Sequence, residues 1–311
     1  MPELPEVEIT VRGLEKTVLG LVIQDVWTDL STTDKRKTDA VANPIFFKSF
    51  KRKVKNAKII SVERRAKNIL INLNNEKTIL IHLKMTGHLL YGKYKFIKKE
   101  NKWKPDEDER SPLHDPFNRF VHVVFTLSNG KHLAFSDTRK FGKITLLDSK
   151  TTHETKHLLG IGPEPLDRDF TQEKMKERLL KKPNGKIKTV LMDQTVIAGI
   201  GNIYSDEILW RSNIHPERKV SNVQEKEIAL IYKEIKETLT KGIDFGGDSM
   251  SDYRNIHGLK GEFQLHHEAY RRTHEKCRKK NPRQGGASCN GIITRKVING
   301  RSAHFCNMHQ K

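Results

Sequence analysis

The chain has 311 residues and carries 58 Lys plus Arg against 38 Asp plus Glu, a formal charge of +20. That length suits about two domains, no run approaches the roughly 18 uncharged apolar residues of a transmembrane helix, and the acid-rich start MPELPEVEIT lacks the apolar stretch of a secretory signal. An intracellular, reducing setting is therefore expected, with no membrane partner. Eleven Lys or Arg and one Glu crowd into residues 271–311, so half the net charge sits in the tail. A polyanion is the expected partner, because phosphates reward such clustering through counterion release.

Residues 5–18 read as a helix, with acidic residues and Pro5 in the first turn and Gly20 beyond the end. Strand-like runs follow at Leu21–Val26, Lys58–Val62, Asn68–Leu73, Thr78–Leu83, Phe120–Leu127, His132–Ser136 and Lys143–Leu147. They predict a β-sandwich or flattened barrel. Residues 93–118 break the pattern and read as a charged surface insertion of low order. After the GIGPEPL crossover the period becomes helical, at Gln172–Lys181, Ile187–Asp193, Ile203–Arg211 and Val223–Thr240, the last ended by Gly242. Residues 245–263 read as loop.

All three cysteines, Cys277, Cys289 and Cys306, fall in the last 35 residues, and an odd count in a reducing setting points to metal rather than disulfides. Cys306 and His309 form a C-x2-H pair, sixteen residues separate Cys289 from Cys306, and eleven separate Cys277 from Cys289. Three thiolates and one imidazole make a closed tetrahedral zinc set, with His274 as a fallback. Between Cys289 and Cys306 two strands meet at an Asn299-Gly300 turn.

At the other end Pro2 follows Met1, so removal of Met1 would free a secondary amine. A free α-amino group has a pKa of about 8, well below lysine, and can attack an aldehyde-level carbon. Glu3 beside it can move protons. Met85, Arg139 and Phe141 lie on turns, and such residues can wedge into a base stack. In Asp193–Glu207 glycines link two helices, and Asn202 opens the second with N–H groups suited to phosphate.

Together MPELPEVE, RRAKNILINL, HLKMTGHL, SDTRKFG, GIGPEPL and LMDQTVIAGIGNIYSDEILW resemble the formamidopyrimidine-DNA glycosylases, in that family's order along nearly the whole chain. The resemblance implies an α+β protein. Its parts are an N-terminal catalytic β-sandwich domain with an N-terminal helix (1–150), a helix–two-turn–helix domain (151–265) and a C-terminal zinc-finger β-hairpin (266–311), with duplex DNA held in the cleft between domains. It implies excision of oxidised purines followed by strand cleavage. Pro2 is then the Schiff-base nucleophile, Glu3 the general acid/base, and Lys67 and Arg301 the phosphate-binding groups that serve elimination. Met85, Arg139 and Phe141 fill the void left by the flipped base, Asn202 contacts phosphate, and Lys188 is expected near the lesion. One structural Zn2+, no organic cofactor and a monomer are expected.

The chain departs from the family pattern in three places. Against the usual C-x2-C-x16-C-x2-C zinc spacing the x16 is kept, but the first spacing has grown to eleven and the last ligand is His309, so Cys277 is the ligand furthest from pattern. The segment Arg119-Phe120-Val121-His122 lacks the first histidine of the family's DNA-contacting stretch, and the loop Gly246–Gly261 matches only partly. The alternatives are a Nei-type enzyme for oxidised pyrimidines, against which Leu4 speaks, and a non-catalytic zinc-bearing DNA-binding protein.

Overall fold

The computed structural model describes every residue except Arg110, Ser251 and residues 282–286. Those positions of the charged insertion, the 245–263 loop and the basic tail therefore lie outside the described residues. Two compact units are formed, one of Met1–Leu159 with Phe245–Glu262, the other of Gly160–Asp244 with Phe263–Lys311. These borders differ from the three consecutive segments expected, for two packing reasons given below.

In the first unit α1 (Leu4–Val18) is followed by β1 (Ile23–Thr28), α2 (Pro44–Val54), β2 (Ile59–Arg65), β3 (Asn68–Leu73), β4 (Lys77–His82), β5 (His88–Gly92), β6 (Tyr94–Ile97), β7 (Lys102–Pro105), β8 (Val121–Leu127), β9 (His132–Ser136) and β10 (Lys143–Asp148). Two four-stranded antiparallel sheets result, in the orders β1-β8-β9-β5 and β10-β4-β3-β2. This is the expected sandwich. Its core takes Val7, Val11, Leu14 and Val18 from one stripe of α1, at helical spacing, and interleaves them with alternate strand residues such as Ile69, Ile71, Ile79, Ile81, Val123 and Phe125. The first of the expected strands starts late, at Ile23, and α2 was not foreseen. Asn43 caps α2 through its side chain on Phe46 N (3.0 Å), with Pro44 at the first turn.

The described residues of 93–118 form regular structure, contrary to expectation. β6 and β7 form a hairpin with Phe96 opposite Trp103 and the left-handed Asn101 in its turn. Trp27 packs edge-on against both rings, at 5.8 Å from Phe96 and 6.4 Å from Trp103. Leu90, Tyr94, Leu113, Val121, Val124 and Ala134 build a second apolar cluster beneath them. The outer face of one sheet is thus covered by this segment. Its alternation of lysines with Tyr94, Phe96 and Trp103 has the period of a strand, masked by the number of charges.

The segment Phe245–Glu262 belongs with this unit because it packs on α1. Tyr253 donates to Glu6 O (2.9 Å), Asp248 N donates to Glu6 Oε1 (2.8 Å), and Ile256 joins the sandwich core.

The second unit contains α3 (Gln172–Leu180), α4 (Ile187–Leu191), α5 (Asn202–Arg211), α6 (Glu225–Asp244), the two-residue strands β11 (Lys280–Asn281) and β12 (Ala287–Ser288), and the hairpin β13 (Ile293–Ile298) with β14 (Arg301–Cys306). Gly242 lies inside α6 rather than after it. A Cβ there would come 2.5 Å from Tyr204 Oη, so the glycine serves close packing and not termination. The turn between α4 and α5 is held by one amide. Gln194 Nε2 donates to Met192 O (2.9 Å) and Ile200 O (2.7 Å), and its Oε1 accepts from Gly199 N (2.8 Å). The hairpin turns at Asn299 and Gly300, with φ of 47° and 75°, as its sequence predicts. The tail joins this unit because Glu207 accepts the N–H groups of Glu268, Ala269 and Tyr270, and Trp210 packs with Cys277, Ile293 and Cys306.

Candidate active site and metal centre

Pro2 and Glu3 are buried at the mouth of α1, with Glu3 only 1% exposed. Glu3 N donates to Glu6 Oε2 (2.7 Å), closing a capping box that fixes the first turn. Glu6 accepts two backbone N–H groups, yet burial dominates and pushes its carboxyl up from 4.5 to about 7. Glu8 ties α1 to β2 through Arg64 Nε (2.7 Å). Lys67, 7% exposed, follows in the β2–β3 turn, where Ala66 has a φ of 54°. His82 at the end of β4 feels the charges of Lys84 and Lys67, but burial is the larger cause of its pKa falling to about 3. It stands beside Lys67 as a neutral imidazole. Sequence reading passed over it as the end of a strand.

Met85 and the Arg139–Phe141 turn are far apart in sequence and are brought together by Asp137. This fully buried carboxylate accepts from Thr86 Oγ1, from Arg139 N (3.2 Å) and from Gly142 N (2.7 Å). Met85 is half-buried, Phe141 is 48% exposed, and the Arg139 guanidinium lies 4.5 Å from the Phe141 ring centroid. An exposed aromatic under a cation on a clamped turn is suited to fill a gap in a base stack.

In the second unit Asn202 begins α5 with a buried Oδ1 that has no hydrogen-bond partner among the described residues. It lines a hollow of about 430 Å³ with Tyr270, Arg271, Arg295, Ser302 and His304. Tyr270 and His304 were not singled out from the sequence. Only the fold gathers them, through Glu207 beneath Tyr270 and Asp206 beneath His304. Lys188, expected near the lesion, has no exposed surface; its Nζ is paired with Asp206 and lies 3.3 Å from Ser205 Oγ, so it braces the interior of this unit. Arg301 is exposed at the tip of the hairpin, opposite Ile298.

Cys277, Cys289, Cys306 and His309 converge, with one ligand atom from each within 4.8 Å of the others. His274 is not in this group. The surroundings fit a tetrahedral ion. His309 Nε2 donates to Trp210 O (3.2 Å), which leaves Nδ1, 3.4 Å from Cys277 Sγ, as the free lone pair. Gly291 N donates to Cys289 Sγ (3.4 Å), as thiolates require. A Cβ at Gly291 would lie 2.3 Å from Cys306 Sγ, so only glycine lets the chain pass. Cys277 is thereby placed in the set despite its long spacing.

The N-terminal domain model of the formamidopyrimidine-DNA glycosylases matches residues 1–144, and their H2TH domain model matches residues 161–254. The chain belongs to this family. It is 37% identical to the formamidopyrimidine-DNA glycosylase of Herpetosiphon aurantiacus, over all of both chains, and 35% identical to that of Bacillus subtilis over 98% of each. Among solved structures it resembles a Lactococcus lactis FPG mutant in complex with DNA containing Fapy-dG (TM-score 0.80, 29% identity, all of both chains). It also resembles the Lactococcus lactis Fpg with DNA containing an abasic site (TM-score 0.80, 29% identity, 99% of each). Among the described residues no helix is long and apolar enough to cross a membrane.

Proposed function

We propose that the chain excises oxidised purines, 8-oxoguanine and formamidopyrimidines, from duplex DNA and then cuts the strand. The observation that carries the reading is the conjunction, within one unit, of a Pro2-Glu3 start, a buried Lys67 and a wedge clamped by Asp137. A stacked base is out of reach, so it is flipped out, and Met85, Arg139 and Phe141 fill the gap. With Met1 removed, the Pro2 nitrogen bonds to the sugar C1′ and the C1′–base bond breaks, with Glu3 moving the protons. The C1′–O4′ bond then opens, with O4′ taking a proton from Glu3, and the iminium so formed acidifies C2′–H. Loss of that proton expels the 3′ phosphate, and a second elimination expels the 5′ phosphate. Lys67 and Arg301 balance the departing charges, while Asn202 positions the backbone. Water then releases the enzyme from the sugar remnant.

The Cys277, Cys289, Cys306 and His309 set holds one zinc ion, which supplies no chemistry to these steps and fixes the base of the hairpin that carries Arg301. The protein acts as a monomer, wherever genomic DNA resides.

The test is borohydride trapping on duplexes carrying 8-oxoguanine or thymine glycol, with a processed N-terminus verified first. A covalent adduct at Pro2, formed faster on 8-oxoguanine opposite cytosine, is expected. Preference for thymine glycol would support the pyrimidine-specific reading instead, and no adduct at all would leave a binding protein.

A further inference from the structure

We infer that the β6–β7 hairpin extends the DNA footprint, and that the groove it borders receives duplex phosphates flanking the wedge. The inference rests on the proposed function for the position of the wedge, and goes beyond it in assigning a second contact surface.

The groove encloses about 830 Å³ between the hairpin, the residues leading into β8 and the turn at Thr138 and Lys140. It shares that turn with Arg139 and Phe141, so a duplex engaged by the wedge continues past this opening. Its cations are of two kinds. Lys95 and Lys104 are paired with Asp106 and Glu100. Lys102, Arg119 and Lys140 are exposed and make no ion pair among the described residues. Of the lining carboxylates, Asp115 is paired with Arg254 and Glu100 with Lys104, Asp29 is hydrogen-bonded to the His122 imidazole, and Glu107 makes no ion pair among the described residues. Three cations without an ion pair thus face two carboxylates without a Lys or Arg partner, Asp29 and Glu107, a positive excess that suits a polyanion.

The wall is also rigid. Trp103, beside Lys102, packs at 6.4 Å from Trp27, 5.4 Å from Phe96 and 4.9 Å from the His132 ring. Lys102 is therefore carried by a fixed strand rather than a loose loop, which lowers the cost of ordering it on a phosphate. The charged insertion, otherwise without a role, gains one.

Binding is read on uncut duplexes bearing a non-cleavable abasic analogue, extended stepwise on either side of it, at several salt concentrations. Wild-type affinity is expected to rise when the added length reaches the groove. Lys102→Glu should abolish that gain, weaken long-duplex binding severalfold and lower the salt slope by about 1, while short-duplex binding stays unchanged. Lys98→Glu, the same charge change at an exposed position on this hairpin outside the groove, should keep the gain. Lys102→Ala should fall between Lys102→Glu and wild type. Equal losses in the two glutamate variants, or no loss in either, would overturn the inference. Because no bond is cut, failure here is distinguishable from failure of the trapping experiment.

Discussion

The Thr86 hydroxyl donates to the Asp137 carboxylate, and this contact joins two turns that lie 51 residues apart in sequence. The same carboxylate then caps its own turn through Arg139 N and Gly142 N, so Met85, Arg139 and Phe141 are presented from one braced platform. Asp137→Ala should cost about 1–3 kcal/mol for each buried group left unsatisfied and should weaken binding to abasic-analogue duplexes. Phe141→Ala, at a 48% exposed position, should change stability by no more than about 0.5 kcal/mol yet weaken the same binding. Denaturant midpoints beside binding curves check both. An Asp137→Ala protein of wild-type stability would refute the brace.

Stability should depend on the proton of Glu6. Burial raises its folded pKa from 4.5 to about 7, so the folded state favours the protonated carboxyl. That contribution is complete below about pH 4.5 and is lost as pH rises through about 7. Glu6→Gln should flatten this part of the profile. Denaturation midpoints of the two proteins at a series of pH values across that window provide the check, and parallel profiles would count against it.

Lys188 and Asp206 form a buried pair, 0% and 1% exposed, whose other side is completed by His304 Nδ1 at 2.9 Å from Asp206 Oδ2. Lys188→Met leaves a buried carboxylate without its cation and should cost about 3–5 kcal/mol. Removing both partners with Lys188→Met and Asp206→Leu should cost clearly less than the sum of the single changes. Additive losses in urea denaturation would show that the pair is not coupled.

Cys306→Ser should release one bound metal ion per chain and lower the melting temperature, and a chelator should do the same to the unaltered protein. His309→Cys supplies a fourth thiolate in place of the imidazole and should keep the metal. Elemental analysis of the purified variants decides this, and unchanged metal content in Cys306→Ser would exclude the assigned ligands.

By itself the sequence determined the elements whose signals are local. The stripe of α1, the alternating strands of the sandwich, the Asn299-Gly300 turn and the spacing of Cys306 and His309 each follow from a period or a turn residue within a few positions. Family motifs added the positions of Pro2, Glu3, Lys67 and Arg301. Only tertiary structure decided the rest, because those features depend on partners distant in sequence. The lysine-rich β6–β7 hairpin is held by Trp27, some seventy residues before it. Lys188 looks like a surface cation until Asp206, from the next helix, draws it inside. The Phe245–Glu262 loop reads as belonging with the helices around it, but Glu6 and Ile256 bind it into the first unit. The sequence carries the periods that form helices and strands. Which buried charge meets its counterpart is settled only when packing removes water from both.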